Sequence, residues 1–321
     1  MPVFEMPLEE LRVYQGRNPR PDDFDSYWST ALGELTAIDA QLDLQPVEYP
    51  AAFAECFDLR FTGTGGARIY AKYLRPRELT PSGHPAVVVF HGYAGSSPDW
   101  FALLPYVAQG FCVAALDCRG QGGRSEDVGG ATGNTLQGHI IRGLLDSPNK
   151  LLYRHIFLDC AQLTRILMGF PEIDVGRVGV TGASQGGGLS LACAALEPRV
   201  KLAAPIYPFL SDYQRTWEMD LAVDAYEEIR QLFRRFDPRH ERENEIFTTL
   251  GYIDVQHLAA RIQARVLMAV ALMDRICAPS TQFAAYNKIT STKEMVIYPD
   301  FAHETLPELA DRVFRFVCKH L

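Results

Sequence analysis

Apolar positions along the chain follow two different periods. From Phe57 to Leu74 apolar and polar residues alternate on both sides of a Gly/Thr-rich stretch, which predicts an antiparallel hairpin turning at Gly63, Gly65 and Gly66. No helical pattern follows these glycines, so they are turn residues and not a dinucleotide loop. Downstream the alternation gives way to short continuous apolar runs: Ala86 to Phe90, Cys112 to Leu116, Val178 to Gly182, Leu202 to Ile206, Val266 to Leu272 and Glu294 to Tyr298. Bounded by turn residues and separated by helical patterns, such runs read as parallel strands buried on both faces. The predicted architecture is a doubly wound α/β sheet.

Helical spacing completes the outline. Phe24, Tyr27, Trp28 and Leu32 recur at intervals of three and four behind a Pro-rich lead, predicting an N-terminal helix packed across the outside of the sheet. A connecting helix is expected where Ser97 can cap, Pro98 suits the first turn and Gly110 stops the chain. Another runs from Gly186 to Glu197, ahead of Pro198. About sixty residues separate the runs ending at Ile206 and starting at Val266, which is long for such a connection. Its amphipathic patterns predict helices between roughly 211 and 263, either a solvated face or a lid. There is no internal repeat or low-complexity linker, so residues 1–321 read as one domain carrying that insertion.

Composition narrows the partners. With 321 residues, 47% of them hydrophobic, the chain can bury a large core. Its formal charge of -8 argues against nucleic acid or an anionic membrane surface and favours a small neutral ligand. The opening MPVFEMPLEELRVYQ has neither a basic nor an apolar leader region, and no later stretch has bilayer-spanning length, so a cytoplasmic protein is expected. Seven scattered cysteines without a C-x-x-C pair read as reduced core thiols.

The candidate chemistry begins at Gly182-Ala183-Ser184-Gln185-Gly186, which fits G-x-S-x-G at a predicted strand-to-helix turn. Such a turn projects a serine hydroxyl beyond the sheet, and the helix N-terminus favours negative charge developing there. A serine needs an imidazole to accept its proton, and His303 stands in the loop after the last predicted strand. The imidazole needs an acid to hold its tautomer. Asp274 directly follows the strand starting at Val266, giving the order Ser184, Asp274, His303; Asp254 and Asp300 are the alternatives. His91-Gly92-Tyr93 follows a buried strand, so the backbone N–H groups of Tyr93 and Gln185 are candidates for an oxyanion hole. Arg119 reads as a buried arginine bridging loops beneath the elbow. A small neutral ligand offers it no charge to pair with.

Together the stretches HGYAG, DCRGQGG, GASQGGG, MDRICAPST and YPDFAHE resemble carbohydrate esterase family seven, the acetyl xylan esterase and cephalosporin-C deacetylase group. Arg119-Gly120-Gln121, the Ser184 elbow and His303-Glu304 correspond to its three signatures in order, and the likeness covers nearly the whole chain. Ala278 and Ala302 depart from the common pattern, a second proline and a glycine, which bears on loop geometry and not on the chemistry.

That resemblance implies an α/β-hydrolase fold, a triad of Ser184, Asp274 and His303, and Tyr93 and Gln185 amides in the oxyanion hole. It also implies no metal or organic cofactor and a homo-hexamer whose sites face an interior chamber. The expected activity is removal of acetyl groups from small acetylated sugars such as xylo-oligosaccharides, and from cephalosporin C. An acyl-peptide or prolyl peptidase and a non-catalytic binding protein on the same fold are the alternatives. Tyr207, Pro208 and Phe209 are candidates to close a small acyl pocket.

Overall fold

A computed structural model describes residues 5–321 except Val128, Asn134 and Ala222. Residues 1–4, part of the opening read for a leader, lie outside the described residues. Among the described residues nine strands form one sheet in the order β1-β2-β3-β5-β4-β6-β7-β8-β9. The strands are β1 (Asp43–Val47), β2 (Ala54–Thr62), β3 (Arg68–Pro76), β4 (His84–Phe90), β5 (Cys112–Leu116), β6 (Ile173–Ala183), β7 (Leu202–Ile206), β8 (Arg265–Ala271) and β9 (Lys293–Tyr298). The predicted hairpin is β2–β3, and the six continuous apolar runs are β4 to β9, parallel throughout. β1 adds an antiparallel edge strand that the sequence pattern did not announce, since Pro46 interrupts it and its side chains are at most half-buried.

Both sheet faces are covered. Ala86, Val88 and Phe90 of β4 point into one apolar cluster while Val87 and Val89 point into the other, as the two-residue period of a strand requires. Helices α1 (Leu8–Leu11) and α2 (Phe24–Thr36) lead into the sheet. Helix α3 (Trp100–Ala108) and the C-terminal helix α11 (Leu309–His320) cover the face carrying Val87. Helices α2, α4 (Leu152–Met168) and α5 (Gln185–Leu196) cover the other, with α4 and α5 buried along most of their lengths. The buried stripe of α2 is Phe24, Trp28, Ala31 and Leu35; Tyr27 and Leu32, which were expected in it, flank it half-buried.

Helix α3 starts two residues later than its cap signal implied. Asp99, not Ser97, stands at its N-terminus, and the Ser97 N–H donates to Asp117 at 2.6 Å, tying the segment to the loop after β5. Between β7 and β8 the chain forms α6 (Tyr213–Glu218), α7 (Glu227–Phe236), α8 (Glu243–Leu250) and α9 (Val255–Leu258), and α10 (Pro279–Lys288) follows β8. Arg119 is fully buried and grips Asp159 of α4 with Nε and Nη2 at 2.7 and 2.6 Å, while Nη1 donates to the Thr64 carbonyl at 2.9 Å. The pair crowds Gly63 so closely that a Cβ there would lie 2.5 Å from Asp159 Oδ1. All seven cysteines are free thiols, six of them buried.

Candidate active site

Ser184 occupies the junction of β6 and α5 with φ 57° and ψ -118°, a conformation that L-residues seldom adopt. Backbone bonds on both sides hold it there. Its N–H donates to the Ile206 carbonyl at 3.0 Å, and its carbonyl accepts from the N–H of Phe209 at 2.9 Å and of Gly188 at 3.1 Å. The flanking glycines serve close approach. A Cβ on Gly186 would lie 2.1 Å from the Phe90 carbonyl oxygen, and one on Gly182 would lie 2.5 Å from the same atom. The end of β4 thus presses directly on the elbow.

Three separate segments converge on the serine hydroxyl. Asp274, in the turn after β8, is fully buried and accepts the Ile276 and Cys277 N–H groups on Oδ1, each at 2.8 Å. Its Oδ2 lies 2.8 Å from His303 Nδ1, and His303 Nε2 lies 3.0 Å from Ser184 Oγ. With the Nδ1 proton directed at the carboxylate, the lone pair on Nε2 faces the hydroxyl, the tautomer needed to accept its proton. The Tyr207 ring packs on the imidazole at 4.6 Å and limits its rotation.

Neither alternative acid occupies this position. Asp254 is buried at the start of α9, accepting from the Asp212 N–H and from Gln256, while Asp300 is exposed on the turn after β9. Asp274, Cys277 and His303 also bring carboxylate, thiol and imidazole atoms within 4.8 Å of one another, donor types that a metal site uses. In this arrangement both Asp274 oxygens are engaged by hydrogen-bond donors.

The backbone N–H groups of Tyr93 and Gln185, the two candidates for an oxyanion hole, have no protein acceptor among the described residues. The peptide plane joining Gly92 to Tyr93 is anchored by its carbonyl, which accepts from His91 Nδ1 at 2.7 Å and the Gly95 N–H at 3.1 Å. His91 Nε2 in turn accepts the Cys118 N–H at 2.9 Å, and burial holds the His91 pKa below the usual histidine value. The Gln185 side chain is fully buried. Its amide pairs reciprocally with that of Gln121 at 2.8 and 3.0 Å, and its carbonyl also accepts from the Tyr153 hydroxyl at 2.6 Å. Gln121 was visible in the sequence as part of a signature, but no local pattern gives its partner.

A cavity of about 820 Å³ opens from Ser184 and His303 and runs between α3 and α11 over the sheet. Leu103, Tyr106, Ile206, Tyr207, Val313 and Phe314 make much of its wall apolar. Of the three residues proposed for a small pocket, Tyr207 lines this cavity, whereas Pro208 and Phe209 are buried behind it. None of the helices between β7 and β8 lines it among the described residues. Instead α7 approaches the loop after β4, where Glu228 accepts hydrogen bonds from the Tyr93 hydroxyl and from the N–H groups of Ile140 and Ile141, the latter two at 2.8 and 3.1 Å. Sequence reasoning missed Glu228, since nothing in Tyr226-Glu227-Glu228-Ile229 marks one glutamate as buried.

A mostly parallel sheet with a strained serine at a strand-to-helix turn, followed along the chain by a buried carboxylate and then by the imidazole that faces the serine, defines an α/β-hydrolase. Within that class the model for the acetyl xylan esterases matches residues 1–320, and the chain belongs to this family of carboxylic ester hydrolases. Acetyl xylan esterase 1 from Thermoanaerobacterium sp. JW/SL YS485 superposes with a TM-score of 0.94 at 58% identity, over 98% of this chain and 99% of that one. The acetyl xylan esterase from Paenibacillus sp. R4 gives 0.92 at 37% identity, over 98% and 100%. The acetyl esterase Axe7A of Xylanibacter ruminicola is 28% identical over 295 residues, which is 90% of this chain and 64% of that protein. This chain therefore spans somewhat less than two thirds of that relative's length.

Proposed function

We propose that the protein is a serine esterase that removes acetyl groups from small acetylated sugars, acetylated xylo-oligosaccharides among them, and from cephalosporin C. The observation that carries this reading is the continuous hydrogen-bonded line from Asp274 through His303 to Ser184. Family membership supplies the substrate class.

In the first step His303 Nε2 accepts the hydroxyl proton as Ser184 Oγ attacks the ester carbonyl carbon. The oxygen of the tetrahedral adduct takes its charge between the N–H groups of Tyr93 and Gln185. Collapse breaks the bond to the sugar oxygen, which receives the proton from His303, and leaves an acetyl group on Ser184. Water then attacks the acetyl-enzyme with His303 again as base, releasing acetate. Asp274 holds the imidazole in the needed tautomer and steadies the imidazolium. No step in this scheme calls on a metal or organic cofactor.

The further elements of the reading are one catalytic unit over residues 1–321, a cytoplasmic location and a homo-hexamer with sites facing an interior chamber. Neither nucleic acid nor a membrane is a partner in it. Among the described residues no helix is long and apolar enough to cross a membrane. The test is a panel of acetylated xylo-oligosaccharides, polymeric acetyl xylan and cephalosporin C, with light scattering for the assembly. Turnover of the oligomers and cephalosporin C well above the polymer is expected, with a particle of six chains. A protein that hydrolyses peptide amides and leaves these esters untouched overturns the reading.

A further inference from the structure

We infer that Glu228 of α7 is a positioning residue for the reaction: by holding the Tyr93 hydroxyl it fixes the Tyr93 N–H that stabilises the oxyanion. The inference rests on the reading of that amide given above.

Three observations carry it. First, Gly92 gives the loop after β4 little conformational constraint, because it is exposed and a Cβ built on it would meet nothing within 4 Å. Residue 93 must therefore be fixed from its side chain as well as from the Gly92 carbonyl. Second, the Tyr93 ring is held edge-on by His139 at 5.0 Å and by Phe209 at 5.8 Å, contacts that restrict its tilt but leave sliding along its long axis to the hydroxyl. Glu228 Oε1 takes that hydroxyl, and Oε2 is held by the Ile140 and Ile141 N–H groups.

Third, the carboxylate is 6% exposed and has no cationic partner among the described residues. Burial pushes its pKa up to about 7. A buried carboxylate without a cation is costly to keep, and its donors include one hydroxyl of the oxyanion loop and amides of the facing turn. The helices between β7 and β8 thus reach the chemistry from behind the oxyanion loop and not by covering the cavity.

The test uses the full-length protein, nitrophenyl acetate and a trifluoromethyl ketone, which forms a reversible tetrahedral adduct on an active serine. Glu228→Ala and Tyr93→Phe are each expected to lower kcat about ten- to a hundredfold, below the loss on removing an oxyanion donor outright, with KM changed less than about threefold. Ketone affinity should fall by the same factor as kcat/KM. The double variant should be no slower than the slower single variant, because both remove one interaction. Glu228→Gln, which keeps an acceptor for the hydroxyl, should recover part of the rate.

Folded Glu228→Ala with unchanged kcat, a rise in KM alone, or additive losses in the double variant each overturn the inference. If Glu228→Ala does not fold, Tyr93→Phe decides it, since that change removes only the hydroxyl. Failure of the underlying reading looks different: the unaltered protein would then form no ketone adduct at Ser184.

Discussion

Ser184 Oγ and His303 Nε2 lie 3.0 Å apart although 119 residues separate them in the chain. One sits on a turn clamped by the ends of β4 and β7; the other follows β9 and is braced by Asp274 and Tyr207. The contact therefore depends on the register of the parallel strands between them. Ser184→Ala keeps that register, because a small side chain replaces a small one. We expect it to fold normally and to lose ester hydrolysis by about four to six orders of magnitude. An organophosphonate should label the unaltered protein at Ser184 alone, read by mass spectrometry; a label elsewhere removes the assignment.

Asp274→Asn tests the acid. Its side-chain oxygen can still accept the Ile276 and Cys277 N–H groups, leaving the amide nitrogen towards His303, where it favours the wrong imidazole tautomer. A loss of about ten-thousandfold in kcat is expected, while Asp300→Asn stays within about twofold. Near-full activity in Asp274→Asn would return the role to another carboxylate.

Asp254 gives a pH-dependent stability. Burial, helped by the neighbouring Asp212, pushes its pKa up to about 7, above the unfolded value of about 3.8. A carboxylate raised in this way contributes stability that is complete below the unfolded value and is lost as pH rises through about 7. The folded protein thus bears the cost of an ionised Asp254 at pH 8, and Asp254→Asn does not. Urea midpoints at pH 5 and pH 8 should show the variant gaining on the unaltered protein by as much as a few kcal/mol across that interval. A constant difference at the two pH values refutes the shift.

Two glycines should respond oppositely to alanine. Gly33 lies inside α2 with open space where a Cβ would go, so Gly33→Ala should add about 0.5 to 1 kcal/mol of stability. At Gly186 the same change drives a methyl group into the Phe90 carbonyl, and we expect a large fall in melting temperature together with lost activity. Equal melting temperatures for the two variants would contradict the packing at the elbow.

The last expectation concerns selectivity for the acyl group. Acetate esters should be hydrolysed far faster than octanoate esters, since each added methylene must find room beside an elbow already packed against the end of β4, with Tyr207 beside it. Overpacking typically costs about 1 to 3 kcal/mol. Comparing kcat/KM for nitrophenyl acetate, butyrate and octanoate checks this. Faster octanoate turnover would mean that the cavity between α3 and α11 accepts the acyl chain.

The sequence by itself determined the parallel strands β4 to β9, because continuous apolar runs bounded by turn residues can be buried only between two layers of helices. It also determined the elbow, whose glycines and serine lie within five residues, and brought forward Asp274 just after one strand and His303 in the loop after another. Such features are local, so period and spacing reveal them. Only the tertiary structure decided that His303 contacts Asp274 and not Asp254, and that Gln121 pairs with Gln185. It likewise decided that the Ser97 N–H meets Asp117 and that α7 meets Tyr93 through Glu228. These contacts join residues from 20 to 135 positions apart. Their geometry is set by strand order and by what each helix must bury, and no window of sequence carries that information.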